Sequence, residues 1–257
     1  MKLICPICKE ELNKIENSYK CQNKHSFDVA SSGYLNLNIK NSNNSGDEKE
    51  MIRARHEFLN KDYYLFLRNK LNEVIDKYKP NSLLDLACGE GYYTKSFSVE
   101  DKIGIDLSKE ALKKASKQDK TAFYILKNIF EVPFENESFE AITTIFAPIS
   151  KEIPRLLKKN GHFILVKPDI DHLYKLKETV YDSPYLNEVK EIQIDGLKLI
   201  DEIKIKEIKH LNKEDVIGLF KMTPYYHKTS LNDFNKLNSI ETLDIEFSFI
   251  IDIYEKF

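Results

Sequence analysis

Short apolar runs alternate with helical stretches along the chain from residue 81 onward. The pattern predicts five strands in this region: Ser82–Ala87, Lys102–Asp106, Ala122–Leu126, Ala141–Phe146 and Gly161–Lys167. Apolar residues at helical spacing predict helices over Lys109–Gln118 and Lys151–Lys158. Because such alternation is typical of a parallel sheet with helices on both faces, we expect an α/β fold.

Two regions flank this predicted sheet. Between Lys49 and Lys79 the apolar spacing predicts two amphipathic helices that are separated near Asn60. Further along, the pattern predicts a strand over Lys198–Ile208, a helix over Lys213–Met222 and a strand over Thr242–Tyr254. If the last strand joins the sheet without a crossover helix, it lies antiparallel to its neighbours.

Three cysteines and one histidine near the N-terminus have the spacing of metal ligands. Cys5, Cys8, Cys21 and His25 form a C-x2-C-x12-C-x3-H pattern, in which two ligand pairs can converge on one zinc ion. Four protein ligands leave no position for a substrate, so the metal should be structural. The alternative, buried apolar thiols with a surface histidine, does not explain why both pairs occur at metal spacing.

Segments of different composition divide the chain. Residues 33–37 predict a short strand after the zinc motif, and residues 38–50 are rich in Asn, Ser, Gly and charge, which is typical of a linker. We therefore expect a zinc ribbon over residues 1–37, a linker with connecting helices over 38–80, and a larger domain over 81–257. The ribbon has too few apolar residues for an independent core, so the metal should hold it folded.

Composition limits the class of function. The chain has 257 residues, of which 42% are hydrophobic and 31% charged, as in globular proteins. No run approaches the roughly 20 apolar residues of a membrane span, and the start of the chain lacks a signal-peptide core. We expect a cytoplasmic protein without a membrane partner, and the unpaired Cys88 fits a reducing compartment. The net charge of −2 does not by itself indicate a nucleic-acid partner.

A glycine loop follows the first predicted strand of the larger domain. Asp85 lies in that strand, and Gly89 and Gly91 let the backbone approach a ligand in the turn before a predicted helix. The third glycine of a dinucleotide fingerprint is absent, which argues against NAD. Asp106 ends the second strand, where its carboxylate can accept the ribose hydroxyls of S-adenosylmethionine. The alternative is a tight turn in which Asp106 only caps the next helix.

Taken together, these residues resemble the family of zinc-containing, S-adenosylmethionine-dependent 23S ribosomal RNA guanine-N1 methyltransferases, over nearly the whole chain. The resemblance is carried by Cys5-Pro6-x-Cys8, Asn17-Ser18-Tyr19-x-Cys21, His25-x-Phe27-Asp28, Gly33-Tyr34-x-Asn36-Leu37, Met51-x-x-Ala54-Arg55-x-x-Phe58-Leu59, Asp85-x-x-Cys88-Gly89-Glu90-Gly91-Tyr92-Tyr93, Ala147-Pro148, Lys167-Pro168 with His172-Leu173, and Met222-Thr223-Pro224. The ribbon and the cofactor loop are each shared with other families, whereas their conjunction in this order is specific.

The resemblance implies a Rossmann-like class I methyltransferase domain with an N-terminal zinc ribbon. It implies methyl transfer from S-adenosylmethionine to N1 of a guanine in a 23S rRNA hairpin loop, with one structural zinc per chain. The zinc ligands carried over are Cys5, Cys8, Cys21 and His25. Cofactor contacts carried over are Tyr64, Gly89, Glu90 and His172, with Tyr92 beside them. The loop argument adds Asp85, Gly91 and Asp106.

The sequence leaves the catalytic base unassigned. Guanine N1 carries a proton at pH 7, so a group must remove or share it. Asp169 and Asp171 are candidates, although solvated loop carboxylates describe them as well. The carbonyls of residues 146–149 could orient the base, or the segment is an ordinary strand end broken by its proline. Residues 225–227 form either a stacking platform for RNA or part of the core.

Two other functions stay open on the sequence. One is a small-molecule methyltransferase that uses the ribbon as a lid, and the other is a non-catalytic zinc-ribbon RNA-binding factor. The intact glycine loop disfavours the non-catalytic RNA-binding factor. The absence of a strongly basic charge leaves the small-molecule methyltransferase as an alternative. The sequence does not decide which guanine is methylated, or whether the role is in ribosome maturation or antibiotic resistance. It also leaves the oligomeric state open, with a homodimer among the alternatives.

Overall fold

The helices and strands occur in nearly the order that the apolar pattern predicts. The computed structural model describes residues 1–39 and 49–257, so residues 40–48 of the predicted linker lie outside the described residues. The strands are β1 Asn13–Ile15, β2 Ser18–Lys20, β3 Ser26–Asp28, β4 Leu35–Asn36, β5 Ser82–Leu86, β6 Asp101–Asp106, β7 Ala122–Leu126, β8 Phe139–Ile145, β9 Leu157–Pro168, β10 Leu197–Asn212 and β11 Thr242–Lys256. The helices are α1 Lys49–Leu59, α2 Leu65–Tyr78, α3 Lys109–Gln118, α4 Ile153–Leu156, α5 Tyr174–Val180, α6 Lys213–Lys221 and α7 Leu231–Asn235.

Eight strands form one mixed sheet in the order β10-β11-β9-β8-β5-β6-β7-β4. The strands from β9 through β4 are parallel, whereas β11 is antiparallel to both of its neighbours. The predicted α/β class and the antiparallel last strand are therefore confirmed. The central strand β5 is buried at all five positions, as expected for a parallel strand covered on both faces.

Two different layers cover the two faces of the sheet. Leu83 of β5 packs in a cluster with Leu71 of α2 and Leu219 of α6, so helices cover that face. Its neighbour Leu84 packs in a second cluster that includes Leu3 and Leu12 of the zinc ribbon. Because adjacent residues of a strand point to opposite faces, the ribbon covers part of the face opposite α2 and α6.

The ribbon is joined to the larger domain by backbone contacts as well. Its strands β1, β2 and β3 form a small antiparallel sheet, and Leu3 forms a bridge with Phe134. Ile4 N donates to Pro133 O at 2.9 Å. The short strand predicted over residues 33–37 is β4, which forms the edge of the large sheet, parallel to β7, while its Leu35 also forms a bridge with Val29.

Two predicted helices differ from the structure. After the glycine loop only a 3₁₀ turn forms, over Thr94–Ser96, because the next residue, the buried Phe97, is already extended. The helix predicted over residues 151–158 is only α4. Leu157 instead begins β9, where it pairs with Phe139 of β8. The break between α1 and α2 near Asn60 is confirmed. Within the described ranges, no helix has the length and apolar character needed to cross a membrane.

A substitution at Gly104 of β6 tests how closely this strand packs against Cys88 and Tyr124. A Cβ at this position would lie 2.8 Å from Cys88 Sγ and 2.8 Å from the Tyr124 ring, so Gly104→Ala should destabilise the fold by about 1–3 kcal/mol. Gly218 in α6 has open space around it, and Gly218→Ala should add up to about 1 kcal/mol by improving helix propensity. At constant zinc concentration, the urea unfolding midpoint should fall in Gly104→Ala and rise in Gly218→Ala. Equal shifts in the two variants would contradict the packing around Gly104.

Candidate functional site

The predicted metal ligands converge in the ribbon. One ligand atom from each of Cys5, Cys8, Cys21 and His25 lies within 4.8 Å of all the others. Cys5 Sγ lies 3.5 Å from His25 Nδ1, Cys21 Sγ lies 3.4 Å from the same nitrogen, and Cys8 Sγ lies 3.6 Å from Cys21 Sγ. Zinc–sulfur bonds of about 2.3 Å and zinc–nitrogen bonds of about 2.0 Å give tetrahedral edges of about 3.5–3.8 Å. The four side chains are therefore positioned to bind one zinc ion.

Two similar turns position these ligands. Lys9 N donates to Cys5 O and Lys24 N donates to Cys21 O, which closes one turn around each ligand pair. Lys9 and Lys24 both adopt positive φ, at 66° and 65°. Cys5 and Cys21 are buried against the ribbon core, whereas Cys8 and His25 are half-buried. The metal centre therefore joins the small core of the ribbon to its outer turns.

We expect one zinc ion per chain, and Cys21→Ser should lose it because three ligands cannot complete the tetrahedron. Cys88→Ser is the matched control, since Cys88 is buried beside the glycine loop, where burial raises the pKa of its thiol well above its ordinary value. Metal analysis after dialysis measures both variants. Full zinc content in Cys21→Ser, or loss of zinc in Cys88→Ser, would contradict the assignment.

The glycine loop after β5 and the end of β6 are held together by Asp106. Gly89 N donates to Asp106 Oδ2 at 2.8 Å, and Ser108 N donates to Asp106 Oδ1 at 2.7 Å. A carboxylate is a hydrogen-bond acceptor for hydroxyl groups as well as for backbone amides. The side chain is half-buried at the carboxyl edge of the sheet, where α/β folds bind ligands.

The two glycines of the loop have different surroundings. Both have positive φ, 56° at Gly89 and 74° at Gly91. A Cβ at Gly89 would meet no heavy atom within 4 Å, so this is the side that leaves room for a ligand. A Cβ at Gly91 would lie 2.4 Å from Tyr124 Oη. Packing against Tyr124 therefore requires glycine at this position, and the ligand approach that the sequence predicts for Gly91 stays a prediction.

Asp85 lies behind the loop rather than at its open side. Its side chain is 2% exposed, and its two oxygens accept from Thr94 Oγ1 at 2.5 Å and Thr143 Oγ1 at 2.8 Å. Burial raises the pKa of this carboxyl to about 6, although both hydroxyl bonds oppose the shift. The predicted cofactor residue Asp85 thus connects β5, β8 and the turn after the loop.

The raised pKa of Asp85 predicts a pH dependence of stability. The folded state binds this proton more tightly than the unfolded chain, whose pKa is 3.8, so the stabilisation is present below pH 3.8 and is lost as the pH rises through about 6. Asp85→Asn should therefore gain about 1 kcal/mol relative to wild type between pH 5 and pH 7.5. Denaturant midpoints at both pH values measure this difference. The exposed Asp101→Asn is the control, and a parallel response of both variants would contradict the burial effect.

Buried hydroxyls without partners lie next to this loop. Among the described residues, Tyr92 Oη, Tyr93 Oη and Thr144 Oγ1 are buried and have no hydrogen-bond partner. The Tyr92 and Tyr93 rings are 4.9 Å apart, and the Arg68 guanidinium lies 4.7 Å from the Tyr92 ring centre. Because buried polar atoms normally have partners, this arrangement fits a polar ligand such as the predicted cofactor.

Glu90 connects the loop to the helix that precedes the domain. Its side chain is buried, and its Oε2 lies 2.8 Å from Nδ1 of His56 in α1. The connecting helix is thereby positioned next to the glycine loop. His56 and Thr143 were not predicted for the site. For Thr143 the sequence does contain an indication, because two adjacent threonines occur near the end of an otherwise apolar strand.

His172 and Tyr64 share an aromatic neighbour. The His172 ring lies 4.5 Å from Phe249 and the Tyr64 ring lies 5.4 Å from it, at the carboxyl end of β9. Ser248 N donates to His172 Nδ1 at 3.2 Å, which places the proton of the neutral ring on Nε2. Burial lowers the pKa of His172 to about 3, so the ring is neutral at pH 7. Tyr64 is buried too, which raises its pKa.

The candidate bases and the candidate stacking residues have different surroundings. Asp169 and Asp171 are half-buried, so neither is the fully solvated carboxylate that the sequence suggests. Asp169 Oδ1 accepts from Ile170 N within its own loop. Tyr225 and Tyr226 pack against the helical core cluster, in agreement with the core alternative.

Comparisons with known proteins agree with this geometry. Residues 77–215 match the family described as "Methyltransferase domain", and residues 3–42 match the zinc ribbon family described as "RlmA, N-terminal". The Bacillus subtilis (strain 168) protein YxjB, provisionally named a 23S rRNA (guanine-N1)-methyltransferase, is 28% identical over 94% of this chain and 92% of its own. The Streptomyces fradiae 23S rRNA (guanine(748)-N1)-methyltransferase is 27% identical over 69% of this chain and 67% of its own.

Solved structures support the fold. The crystal structure of the YcgJ protein from Bacillus subtilis superposes with a TM-score of 0.50 at 18% identity, over 73% of this chain and 98% of that chain. At this level of identity the likeness concerns the fold alone.

Proposed function

Because the chain belongs to the methyltransferase-domain family matched by residues 77–215, we propose that it transfers a methyl group from S-adenosylmethionine to N1 of a guanine in 23S rRNA. The observation that carries the proposal is the presence of that domain and the RlmA-type zinc ribbon in one chain. The names of the Bacillus and Streptomyces relatives support the same substrate and the same atom.

The carboxyl edge of the sheet supplies the residues for the cofactor. Asp106 is half-buried at the carboxyl end of β6, beside the glycine loop to which it is hydrogen-bonded, so we assign it the ribose hydroxyls. Gly89 leaves open space for a close approach of the ligand to the backbone. The buried hydroxyls of Tyr92 and Tyr93 supply donors beside it. We assign Glu90 to the same site through its place in the loop.

When bound, S-adenosylmethionine supplies an electrophilic methyl group on a sulfonium centre. The chain must then hold the guanine in line with that group and accommodate the N1 proton. His172 Nδ1 already accepts from Ser248 N, so His172 is suited to donate a hydrogen bond from Nε2 rather than to take the proton. Its pKa of about 3 also makes it a poor base at pH 7. No general base is assigned.

The ribbon is suited to hold RNA. Lys9, Lys14, Lys20 and Lys24 are exposed on it together with Glu11, Glu16 and Asp28, so individual lysines rather than a net positive charge would contact phosphates. A hairpin loop is the preferred target, since a loop base leaves its stack at lower cost than a paired base. The ribbon would therefore position the loop while the larger domain receives the base.

The proposal is tested with unmodified 23S rRNA transcript and labelled S-adenosylmethionine. Wild type should label one guanine, and reverse transcriptase should stop one nucleotide before it because an N1 methyl blocks pairing. Asp106→Ala should bind S-adenosylhomocysteine about 10- to 100-fold more weakly, as expected for a lost charged hydrogen-bond partner, and should lose labelling.

The exposed Asp101 at the other end of β6 provides the matched control, and Asp101→Ala should behave as wild type. Label at guanine N2 or on a ribose would refute the N1 assignment. Label on a small metabolite with unlabelled RNA would instead support the small-molecule enzyme.

A further inference from the structure

Phe146 has a backbone conformation that an aromatic residue rarely adopts. It directly follows β8 and has a φ of 55°, which is the left-handed region. A bulky residue in this region is strained, and such strain persists where the surrounding structure enforces it, often at functional sites. Here Phe146 N donates to Val166 O at 3.1 Å, which continues the ladder between β8 and β9 and fixes the backbone.

This conformation leaves the ring at the surface. Phe146 is 43% exposed, although its ring lies 5.0 Å from Phe249 and 6.2 Å from Tyr64. The ring therefore packs on buried aromatic residues while part of it contacts solvent. The next turn is anchored, because the buried Ser150 Oγ donates to Ile129 O at 2.5 Å.

The sheet order places Phe146 on one side of the cofactor loop. β5, which precedes the loop, lies between β8 and β6. Asp106, assigned to the ribose, ends β6, whereas Phe146 follows β8 on the other side. A ligand that extends from Asp106 across the end of β5 therefore directs its other end toward β8. Tyr64 and His172, the cofactor contacts that the resemblance implies, pack around Phe249 on this same side, so the methyl-bearing end of the cofactor points here and the acceptor belongs beside Phe146.

We propose that the Phe146 ring is the surface on which the target guanine stacks. This rests on the proposed function, since it assigns a base to the acceptor side of the same site. Stacking on an aromatic ring is how single-stranded bases and flipped bases are commonly held. A partly exposed ring beside the buried rings of Tyr64 and Phe249 suits this role, and the fixed backbone of Phe146 holds the ring in place.

Substitutions at Phe146 separate stacking from apolar packing. Phe146→Ala should lower kcat/KM for the 23S rRNA transcript about 5- to 150-fold, the range expected for one lost base–aromatic stack, while binding of S-adenosylhomocysteine stays within twofold of wild type. Phe146→Leu keeps an apolar side chain but removes the π face, and should lose nearly as much. Phe146→Tyr keeps the π face and should retain most activity.

The chain contains no tryptophan, so Phe146→Trp introduces a single fluorescent reporter. With the protein saturated with S-adenosylhomocysteine, guanosine monophosphate should quench its emission because a stacked base is in contact with the indole. Phe257→Trp is the control. Phe257 is 75% exposed and follows β11, whose end lies beside the amino end of β9, at the opposite edge of the sheet. Only collisional quenching is expected there.

The outcomes distinguish this proposal from the proposed function. If wild type labels RNA and both Phe146→Ala and Phe146→Leu label it at the wild-type rate, stacking on Phe146 is overturned while the RNA methyltransferase stands. If wild type labels no RNA, the proposed function fails. The fluorescence titration then tests whether a guanine base stacks on residue 146. Quenching of Phe146→Trp beyond that of Phe257→Trp then supports a guanine-containing acceptor, and equal quenching overturns the proposal.

Discussion

The buried carboxyl of Asp85 is the interaction on which the site depends. It accepts from Thr94 in the turn after the glycine loop and from Thr143 in β8, so one side chain links the loop to the strand that precedes Phe146. A buried carboxylate is costly unless hydrogen bonds satisfy it. Both hydroxyl donors are therefore required, and the same requirement fixes the distance between the loop and the end of β8.

The ribbon and the larger domain also depend on one another. Leu3 and Leu12 pack in the same cluster as Leu84 of the central strand, and β4 follows the ribbon directly into the large sheet. Zinc binding thus stabilises a surface that covers one face of the sheet as well as the ribbon itself. A face that a helix often covers in α/β folds is here partly covered by a metal-stabilised module.

The sequence could predict the features that local spacing encodes. The zinc ligands lie in two short pairs, so spacing alone identified Cys5 through His25, and apolar runs located the strands of the sheet. Tertiary contacts were beyond this reasoning. The length of α4 was overestimated because helical spacing continues into residues that the sheet recruits, such as Leu157. The role of Gly91 depends on Tyr124, a residue of another strand, and no local pattern indicates that contact.

Several energetically unfavourable features lie at the carboxyl edge of the sheet. Near the carboxyl ends of β5 and β8 lie the strained backbone of Phe146 and the buried, ionisable carboxyl of Asp85. In the described part of the chain, the unpaired hydroxyls of Tyr92 and Thr144 lie there too. Each would be more stable with a different residue in the absence of a ligand. Strain and unsatisfied polar groups of this kind are retained where binding supplies the missing partners. Their common location therefore argues for a site that accommodates two ligands side by side, with polar donors at the loop and an aromatic surface at the end of β8.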